Sequence, residues 1–413
     1  MSQNLESLKH WRYEVDREKI TWVSFNREGS SANALGRAPL EELGLIINHV
    51  NQNYQGQQLK GLVFLSAKEK SFIVGADINE FESLHTEDDV VAQIKGVNAL
   101  FDKIEHLSIP VIAAVHGVCV GGGLEFILAC HYRIATRDPA TRFGFPEVKL
   151  GIFPGFNGTA RSIKQIGPLN AMKLMLSGSM VSAQIARAQG LVDALVGSAD
   201  SLRWAARKAI LSHRHSSPAK LYKSFLCFTP FRQLLVHKLR SETSKKIREE
   251  HYPAPFRLID LFEKYGGSYQ KMKDAETLSF APLMISEQSK NLRRVFKLSE
   301  SLKAQAPKSL KWKPKRVHVI GAGTMGADIA GVCASSGMEV TLQDISRDQI
   351  EKGIRSQYKF FSKKFKTKAS FEAAKTRLIF DQEGKGISRA DVIIEAIVEK
   401  IELKQKLFKE IEG

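Results

Sequence analysis

Two glutamates stand in apolar surroundings within the stretch 109–156, and their residue type suits proton transfer. Glu125 follows three consecutive glycines and opens the segment LEFILAC, whereas Glu147 lies within FGFPEVKLGIF. A buried carboxylate is costly unless it is paired, hydrogen-bonded or protonated, and burial raises its pKa toward the range useful for catalysis. The pair therefore indicates a general acid and a general base.

The glycines before Glu125 predict a turn that could bind an anion. A buried strand is expected at Val111 to Val115, and Gly121 to Gly123 would let backbone N–H groups approach a ligand where a helix begins. A donor aimed at a developing oxyanion is worth about 10²–10³ in rate. A core helix with a satisfied glutamate is the alternative. Pro110, His116 and Glu125 argue against a membrane span here.

A second glycine pattern, Gly321, Gly323 and Gly326, follows a strand predicted at Val317 to Ile320. The glycines of GxGxxG permit a tight turn, the close approach of a pyrophosphate and the packing of helix on strand. This pattern predicts a Rossmann-type dinucleotide site.

The residues after that pattern support the dinucleotide interpretation. A strand is expected at Glu339 to Gln343, and Asp344 follows it, 18 residues after Gly326. That spacing suits a carboxylate on ribose hydroxyls and favours NAD over NADP, although Arg347 leaves NADP open.

Composition limits the class of protein. The 413 residues are enough for two or three domains, and 61 Lys+Arg against 44 Asp+Glu give a net charge of +17. A nucleic acid, an anionic membrane surface or a polyanionic small molecule could each explain that excess. The four cysteines lack metal-ligand spacing, so neither a disulfide framework nor a metal site is expected. An acidic N-terminus without an apolar segment favours the cytoplasm.

Strand and helix patterns alternate around the two glutamates. Strands are expected at 19–25 and 59–66, a helix opens at Pro39, a turn at 75–77 enters another helix, and a helix covers Asn170 to Met180. This alternation predicts a mixed α/β domain.

Three segments in this domain resemble the crotonase (enoyl-CoA hydratase/isomerase) superfamily. They are GADI at 75–78, GGGLE at 121–125 and FGFPEVKLGIFPGFNGTAR at 143–161, and the resemblance covers about the first 200 residues. It implies a ββα spiral fold and an acyl-CoA thioester as substrate.

The resemblance also implies roles for individual residues. The N–H groups of Ala76 and Gly122 would form the oxyanion hole for the thioester carbonyl, with Gly75 and Asp77 beside the substrate. Glu125 would activate water, Glu147 would deliver a proton to C2, and Gly155 would line the water pocket. The family often has Asp where this chain has His131 and Gly where it has Asn157; we expect both to be structural.

The segment after Ser201 is basic and amphipathic, which predicts helices with a solvated face rather than a nucleic-acid surface. Its later part resembles the linker of multifunctional fatty-acid oxidation proteins, and a free-standing hydratase would have no use for it. That resemblance implies a thiolase subunit as partner.

The last segment resembles the NAD-binding half of 3-hydroxyacyl-CoA dehydrogenases. By this resemblance Met325 packs along NAD, and Ile397, Val398, Glu399 and Lys404 border the nicotinamide. In that family the glutamate orients a catalytic histidine further along, and the chain stops at Gly413 before it. We therefore expect a partial Rossmann domain without dehydrogenase activity.

Together these features predict three parts: a crotonase-like domain at 1–200, a helical extension at 201–310 and a partial NAD-binding domain at 311–413. The predicted activity is hydration of trans-2-enoyl-CoA to 3-hydroxyacyl-CoA in fatty-acid β-oxidation, with no metal, nucleic acid or transmembrane segment. The alternatives are a 3-enoyl-CoA to 2-enoyl-CoA isomerase and a non-catalytic acyl-CoA-binding scaffold.

Overall fold

The computed structural model describes Leu5 and residues 8–53, 58–217, 225–305 and 312–412. These residues form two compact units that divide after Lys303. The predicted boundary at 310–311, part of the predicted basic segment at 218–224, and Gly413 lie outside the described residues.

The first unit contains two sheets. The larger has the order β1-β2-β3-β5-β7-β10, and its strands are parallel except for the antiparallel pair β1 and β2. Its strands are β1 (Trp11–Val15), β2 (Ile20–Phe25), β3 (Gly61–Ser66), β5 (Val111–Val115), β7 (Tyr132–Thr136) and β10 (Ala194–Val196). The smaller sheet is formed by β4 (Ser71–Ile73), β6 (Val118–Val120), β8 (Arg142–Gly144) and β9 (Met180–Ser182), in that order.

The described helices of the first unit surround these sheets. They are α1 (Arg37–Asn53), α2 (Glu87–Glu105), α3 (Gly122–Ala129), α4 (Gly158–Ile166), α5 (Pro168–Ser177), α6 (Ala183–Gln189), α7 (Asp200–Leu211), α8 (Phe231–Ser244), α9 (Pro253–Tyr265), α10 (Tyr269–Ile285) and α11 (Glu287–Ala304). Short 3₁₀ helices cover Ile78–Ser83 and Pro146–Leu150 near the glutamates. No described helix is both long and apolar enough to cross a membrane.

The chain alternates regularly between the two sheets. The middle turns of this spiral place one strand in the large sheet, the next in the small sheet and then a helix, as in β3-β4-α2 and β5-β6-α3. This is the ββα arrangement that the resemblance implies. Val111–Val115 is fully buried because helices cover both faces of a parallel sheet.

Two predicted helices differ in detail from those observed. The helix predicted at Asn170–Met180 runs from Pro168 to Ser177, because Gly178 adopts a left-handed conformation that ends it, and Met180 begins β9. The turn at 75–77 leads into the 3₁₀ helix Ile78–Ser83 rather than an α-helix.

The second unit is a parallel α/β layer with its own core. Its sheet has the order β13-β12-β11-β14. The strands are β11 (Arg316–Ile320), β12 (Glu339–Gln343), β13 (Leu378–Phe380) and β14 (Val392–Glu395), and the helices are α12 (Thr324–Ser335), α13 (Arg347–Lys364), α14 (Lys368–Arg377) and α15 (Ile401–Glu412). The strands predicted around the GxGxxG pattern are present.

Candidate active site

A cavity of about 370 Å³ in the first unit brings the two glutamates together. The GADI turn, the GGG turn and the turn around Gly155 all contribute to its wall, although they are far apart in sequence. Its polar lining includes Glu125, Glu147, Gln93 and Lys149. The apolar lining includes Val74, Ile78, Phe81, Leu84, Val90, Ile94, Val120, Pro146, Leu150, Ile152, Phe153, Phe156, Met180, Phe280, Met284 and Phe296.

Glu125 is held by the backbone at the start of α4. Its Oε1 accepts hydrogen bonds from the N–H groups of Phe156 at 2.7 Å and Gly158 at 3.0 Å. Burial raises the pKa of this carboxyl from 4.5 to about 7, although those N–H bonds and the charge of Arg161 act in the opposite direction. A group with this pKa can exchange a proton near neutral pH.

Glu147 has a different environment. Neither of its buried carboxyl oxygens meets a hydrogen-bond partner among the described residues. Burial, followed by the neighbouring charge of Glu125, raises the pKa of Glu147 well above its usual range. Of the two carboxyls, Glu147 therefore has the environment that more strongly favours the protonated form.

Two backbone N–H groups are available beside these carboxyls. Ala76 forms a parallel bridge with Leu35 that uses the Gly75 carbonyl and the Asp77 N–H, so the N–H of Ala76 itself points away from Leu35. Gly122 is the first residue of α3 and has no intrahelical acceptor. Neither N–H finds an acceptor in the part of the chain that the structure describes.

These two N–H groups lie close together. A Cβ placed on Gly122 would be 3.4 Å from the Ala76 nitrogen and 3.1 Å from the Phe156 ring. A Cβ on Gly121, whose φ is +56°, would approach Glu147 Oε1 to 3.0 Å. Because these glycines have no side chains, the GGG turn can lie close to both the Ala76 N–H group and the Glu147 carboxyl.

The remaining predicted residues of this site have separate positions. Gly75 and Gly155 line the cavity, and a Cβ on Gly155 would press against the Phe280 ring at 3.0 Å. Asp77 instead pairs with Arg27 and accepts a hydrogen bond from the Asn79 N–H at 3.0 Å. Its carboxylate is thus engaged in capping the 3₁₀ helix.

His131 and Asn157 occupy structural positions. The Val111 N–H donates to His131 Nδ1 at 3.1 Å, and Nε2 lies 3.0 Å from the Glu105 carbonyl, which ties α2 to β5. Asn157 has a φ of +61° at the N-cap of α4. Glycine adopts that conformation most easily, so the Asn157 backbone here has the geometry that the resemblance associates with glycine.

The helical extension contributes directly to this cavity. Phe280 and Met284 of α10 and Phe296 of α11 line the wall. Glu276, one turn before Phe280, is fully buried beside α4. Sequence reasoning missed this carboxylate, although its four-residue spacing from Phe280 and Met284 places all three on one helical face.

Arg161 of α4 anchors the same region. Its guanidinium contacts Asp102 at 2.5 Å, Glu105 at 3.0 Å and the Phe156 carbonyl at 2.8 Å. Lys273 of α10 also contacts Asp102, at 2.6 Å. This partly buried ion cluster joins α2, α4 and α10.

In the second unit, the glycines have the geometry of a dinucleotide turn. Gly321 has a φ of +103°, and a Cβ on Gly326 would lie 1.8 Å from the Gly321 carbonyl oxygen. A Cβ on Gly321 would also approach the Ile397 nitrogen to 3.0 Å. The space beside Gly323 is open, and Met325 is 71% exposed at the start of α12.

The charged candidates of this unit are already engaged. Asp344 accepts hydrogen bonds from Ala322 N–H at 2.7 Å and Ser346 N–H at 2.9 Å, which braces the glycine turn. Lys404 lies 2.9 Å from both Glu395 and Glu399. Val398 and Glu399 are exposed, and Ile397 is partly buried.

Family models match both units. The model described as enoyl-CoA hydratase/isomerase covers residues 16–229, and the model described as 3-hydroxyacyl-CoA dehydrogenase, NAD binding domain, covers residues 316–413. The described residues contain no group of three or more His, Cys, Asp or Glu side chains placed to hold a metal ion.

Curated relatives are similar along almost the whole chain. A protein named fatty acid oxidation complex subunit alpha from Idiomarina loihiensis is 33% identical over 418 residues, which is 98% of this chain and 58% of that protein. One of the same name from Vibrio cholerae is 33% identical over 412 residues, or 96% of this chain and 57% of that protein. The chain thus spans a little over half the length of these relatives.

A solved structure shares the fold. The enoyl-CoA hydratase from Bacillus halodurans aligns with a TM-score of 0.51 at 17% identity, covering 69% of this chain and all of that one. At that identity the likeness establishes the crotonase-type fold alone.

Proposed function

The chain belongs to the enoyl-CoA hydratase/isomerase family, and from this premise we propose that it adds water to trans-2-enoyl-CoA to give 3-hydroxyacyl-CoA. One observation carries the proposal: two carboxyls on one cavity have opposed environments beside two N–H donors. Glu125 accepts N–H bonds that favour its ionised form, whereas Glu147 has no described partner and stays protonated. Such a pair supplies a base and an acid together.

The reaction follows from these positions. Glu125 takes a proton from a water molecule while the oxygen of that water forms a bond to C3 of the enoyl thioester. The π electrons of the double bond move toward C2 and the thioester carbonyl, whose oxygen becomes negatively charged. The N–H groups of Ala76 and Gly122 stabilise that oxygen, and Glu147 gives its proton to C2. Water is thus added across the bond without any other reactant.

The apolar part of the cavity suits the acyl chain of the substrate. Phe153, Phe280 and Met284 lie on its wall and bury an aliphatic tail without placing a polar group against it. Lys149 also lies on the wall, and the net charge of +17 attracts the phosphates of coenzyme A. The same charge needs no nucleic acid to explain it.

The second unit is proposed to bind NAD through its glycine turn. The tight turn at Gly321 and the contact of Gly326 with it fit a pyrophosphate at the start of α12, with Asp344, Met325 and the segment 397–404 around the cofactor. Bound there, NAD would supply a hydride acceptor. This chain's residues would hold and orient the cofactor.

The wider setting is proposed from the relatives. Their name places them in a fatty acid oxidation complex, and we infer a thiolase subunit as the partner and the cytoplasm as the location. Co-purification with a thiolase tests this association.

Replacing Glu147 by Gln tests the proposed activity. Hydration of crotonyl-CoA, followed by loss of the enoyl absorbance, should fall by about 10²–10⁴-fold because the proton donor for C2 is gone. Glu249→Gln removes an exposed carboxylate and is the matched control. Wild-type turnover in the Glu147 variant would refute the proposal.

Glu125→Gln separates hydration from isomerisation. Moving a 3-enoyl double bond to position 2 needs mainly one carboxyl, so isomerisation should survive this substitution better than hydration. Rates with 2-enoyl-CoA and 3-enoyl-CoA are compared in the same preparation. Isomerisation that exceeds hydration in the wild-type chain would favour the isomerase, and thioester binding without turnover would favour a scaffold.

A further inference from the structure

Glu276 is a third buried carboxyl beside the candidate site. Its side chain is completely excluded from solvent on α10. Oε2 accepts hydrogen bonds from the N–H groups of Thr159 at 3.1 Å and Ala160 at 3.3 Å, whereas Oε1 meets no partner among the described residues. The hydration mechanism uses this group for nothing.

Glu276 and Glu125 divide one helix N-terminus between them. Glu125 accepts from the N–H groups of Phe156 and Gly158, and Glu276 accepts from those of Thr159 and Ala160, so four backbone donors around the start of α4 serve two carboxyls. The field of a helix N-terminus stabilises a nearby anion only modestly. It is too small to hold two buried charges.

The charged groups around Glu276 do not compensate for a second negative charge. α10 packs against α2, α4 and α9. α4 presents Arg161, but Asp102 and Glu105 of α2 already bind its guanidinium. Lys273 of α10 itself is likewise bound to Asp102.

The remaining neighbours are apolar or acidic. All the buried residues of α9 are apolar. Glu125 on α3 and Glu147 on the 3₁₀ helix Pro146–Leu150 add like charge when ionised, and burial followed by the charge of Glu125 raises the pKa of Glu276 well above its usual range. Removing an ion from water costs more free energy than the field of the helix start provides.

We propose that Glu276 keeps its proton at neutral pH and, as a neutral acid, is a positioning residue that holds the α4 turn on which Glu125 depends. Its Oε2 acts as the acceptor for Thr159 and Ala160, and this fixes the Phe156 and Gly158 N–H groups against Glu125. Because Glu276 carries no charge, it leaves Glu125 free to ionise. The proposal rests on the proposed function, in which Glu125 is the base.

Glu276→Gln tests the protonation state without any turnover. Glutamine resembles the neutral acid and cannot ionise. A buried acid whose pKa is raised in the folded state does not destabilise the protein at a pH below its unfolded-state pKa of about 4.5. As the pH rises above that value, the unfolded chain ionises first and the folded protein loses stability. The ratio of folded to unfolded protein should therefore fall in the wild type, relative to the variant, by about tenfold for each pH unit above about 5, until the pH reaches the pKa of Glu276.

Hydrogen-exchange protection of the α4 and α10 amides measures that ratio in the full chain, with variant and wild type compared at the same pH. Glu249→Gln, on the surface, should show no such trend. A Glu276→Gln variant that is less protected than wild type at pH 7 would mean that Glu276 is ionised, and the proposal would fail.

Glu276→Met tests positioning, because methionine fills the space but accepts no hydrogen bond. The ¹³Cδ resonance of Glu125, assigned with Glu125→Gln, reports its titration. Its midpoint should rise in Glu276→Met and stay near wild type in Glu276→Gln. An unshifted midpoint in the methionine variant overturns the positioning role; if that variant does not fold, the exchange experiment on Glu276→Gln still decides the protonation state. Neither readout needs hydration, so absent activity with these shifts present would reject only the proposed function.

Discussion

At the scale of single residues, the environments of two identical side chains give them different chemistry. Glu125 and Glu147 are both buried, yet only Glu125 receives backbone N–H bonds. Those bonds favour the ionised form of Glu125, whereas burial and the charge of Glu125 favour the protonated form of Glu147. The proposed assignment of base and acid rests on this difference.

The pH dependence of hydration should reflect this difference. Glu125 must be ionised to accept a proton from water, and its pKa is raised to about 7. We expect kcat/KM for crotonyl-CoA to rise with pH through about 7 and to fall about tenfold for each unit below it. A profile that stays flat between about pH 5.5 and pH 8 would contradict Glu125 as the base.

The sequence predicted these two residues but not their third neighbour. Glu125 and Glu147 lie in short motifs with apolar flanks, so local pattern and family resemblance both indicate them. Glu276 lies in a segment with many charged residues, and only the packing of α10 on α4 buries it. The hydrogen bonds from Thr159 and Ala160 to Glu276 span 117 and 116 residues of sequence, and no local sequence pattern reveals a contact over that separation.

At the scale of elements, the start of α4 is the part on which the site depends most closely. A Cβ on Gly158 would lie 2.4 Å from Glu125 Oε1. Asn157 before it is held in a left-handed conformation, so the turn has little freedom to move aside.

Gly158→Ala should therefore lower hydration without unfolding the chain. The added methyl group displaces the Glu125 carboxyl, and misplacement of about 1 Å can cost about 10²-fold in rate. Crotonyl-CoA turnover and circular dichroism are measured together.

Gly44→Ala is the matched control, because a Cβ there in α1 meets nothing within 4 Å. It should raise stability by about 0.5–1 kcal/mol and leave turnover unchanged. Equal activity in both variants would show that the α4 turn does not position Glu125.

The elements themselves were predictable to different degrees. Long apolar strands such as β5 and the amphipathic α1 were identified from their periodicity. The three-residue strands β4, β6 and β8 were not, because so short a run carries no periodic signal and is defined only by its partner strands. The spiral that joins the two sheets came from the family resemblance rather than from pattern.

At the scale of the whole molecule, the extension after α7 belongs physically to the site. Leu258, Phe262, Phe280 and Met284 join the same apolar core as the sheets of the first unit. Burying each such side chain stabilises a protein by about 1.5–3 kcal/mol. The burial of several of them together is therefore comparable to the total stability of a typical domain, about 5–15 kcal/mol.

Two fragments should consequently behave differently. Residues 1–303 should fold and hydrate crotonyl-CoA at a rate comparable to the full chain, because the first unit has its own core. Residues 1–200 should be unfolded or aggregated, because the core lacks these side chains. Cooperative thermal unfolding and turnover are the measurements, and an active 1–200 fragment would refute the structural role of the extension.

The residues that line the cavity are spread along the chain, and this affects when the cavity can form during synthesis on the ribosome. They run from Val74 to Phe296, so Glu125 and Glu147 leave the ribosome long before α10 and α11 can cover them. Until then the apolar residues of the cavity wall remain exposed to water, and exposed apolar surface of this kind is what chaperones recognise. The enzyme is therefore expected to acquire thioester binding late in translation, only after its last wall residues have left the exit tunnel.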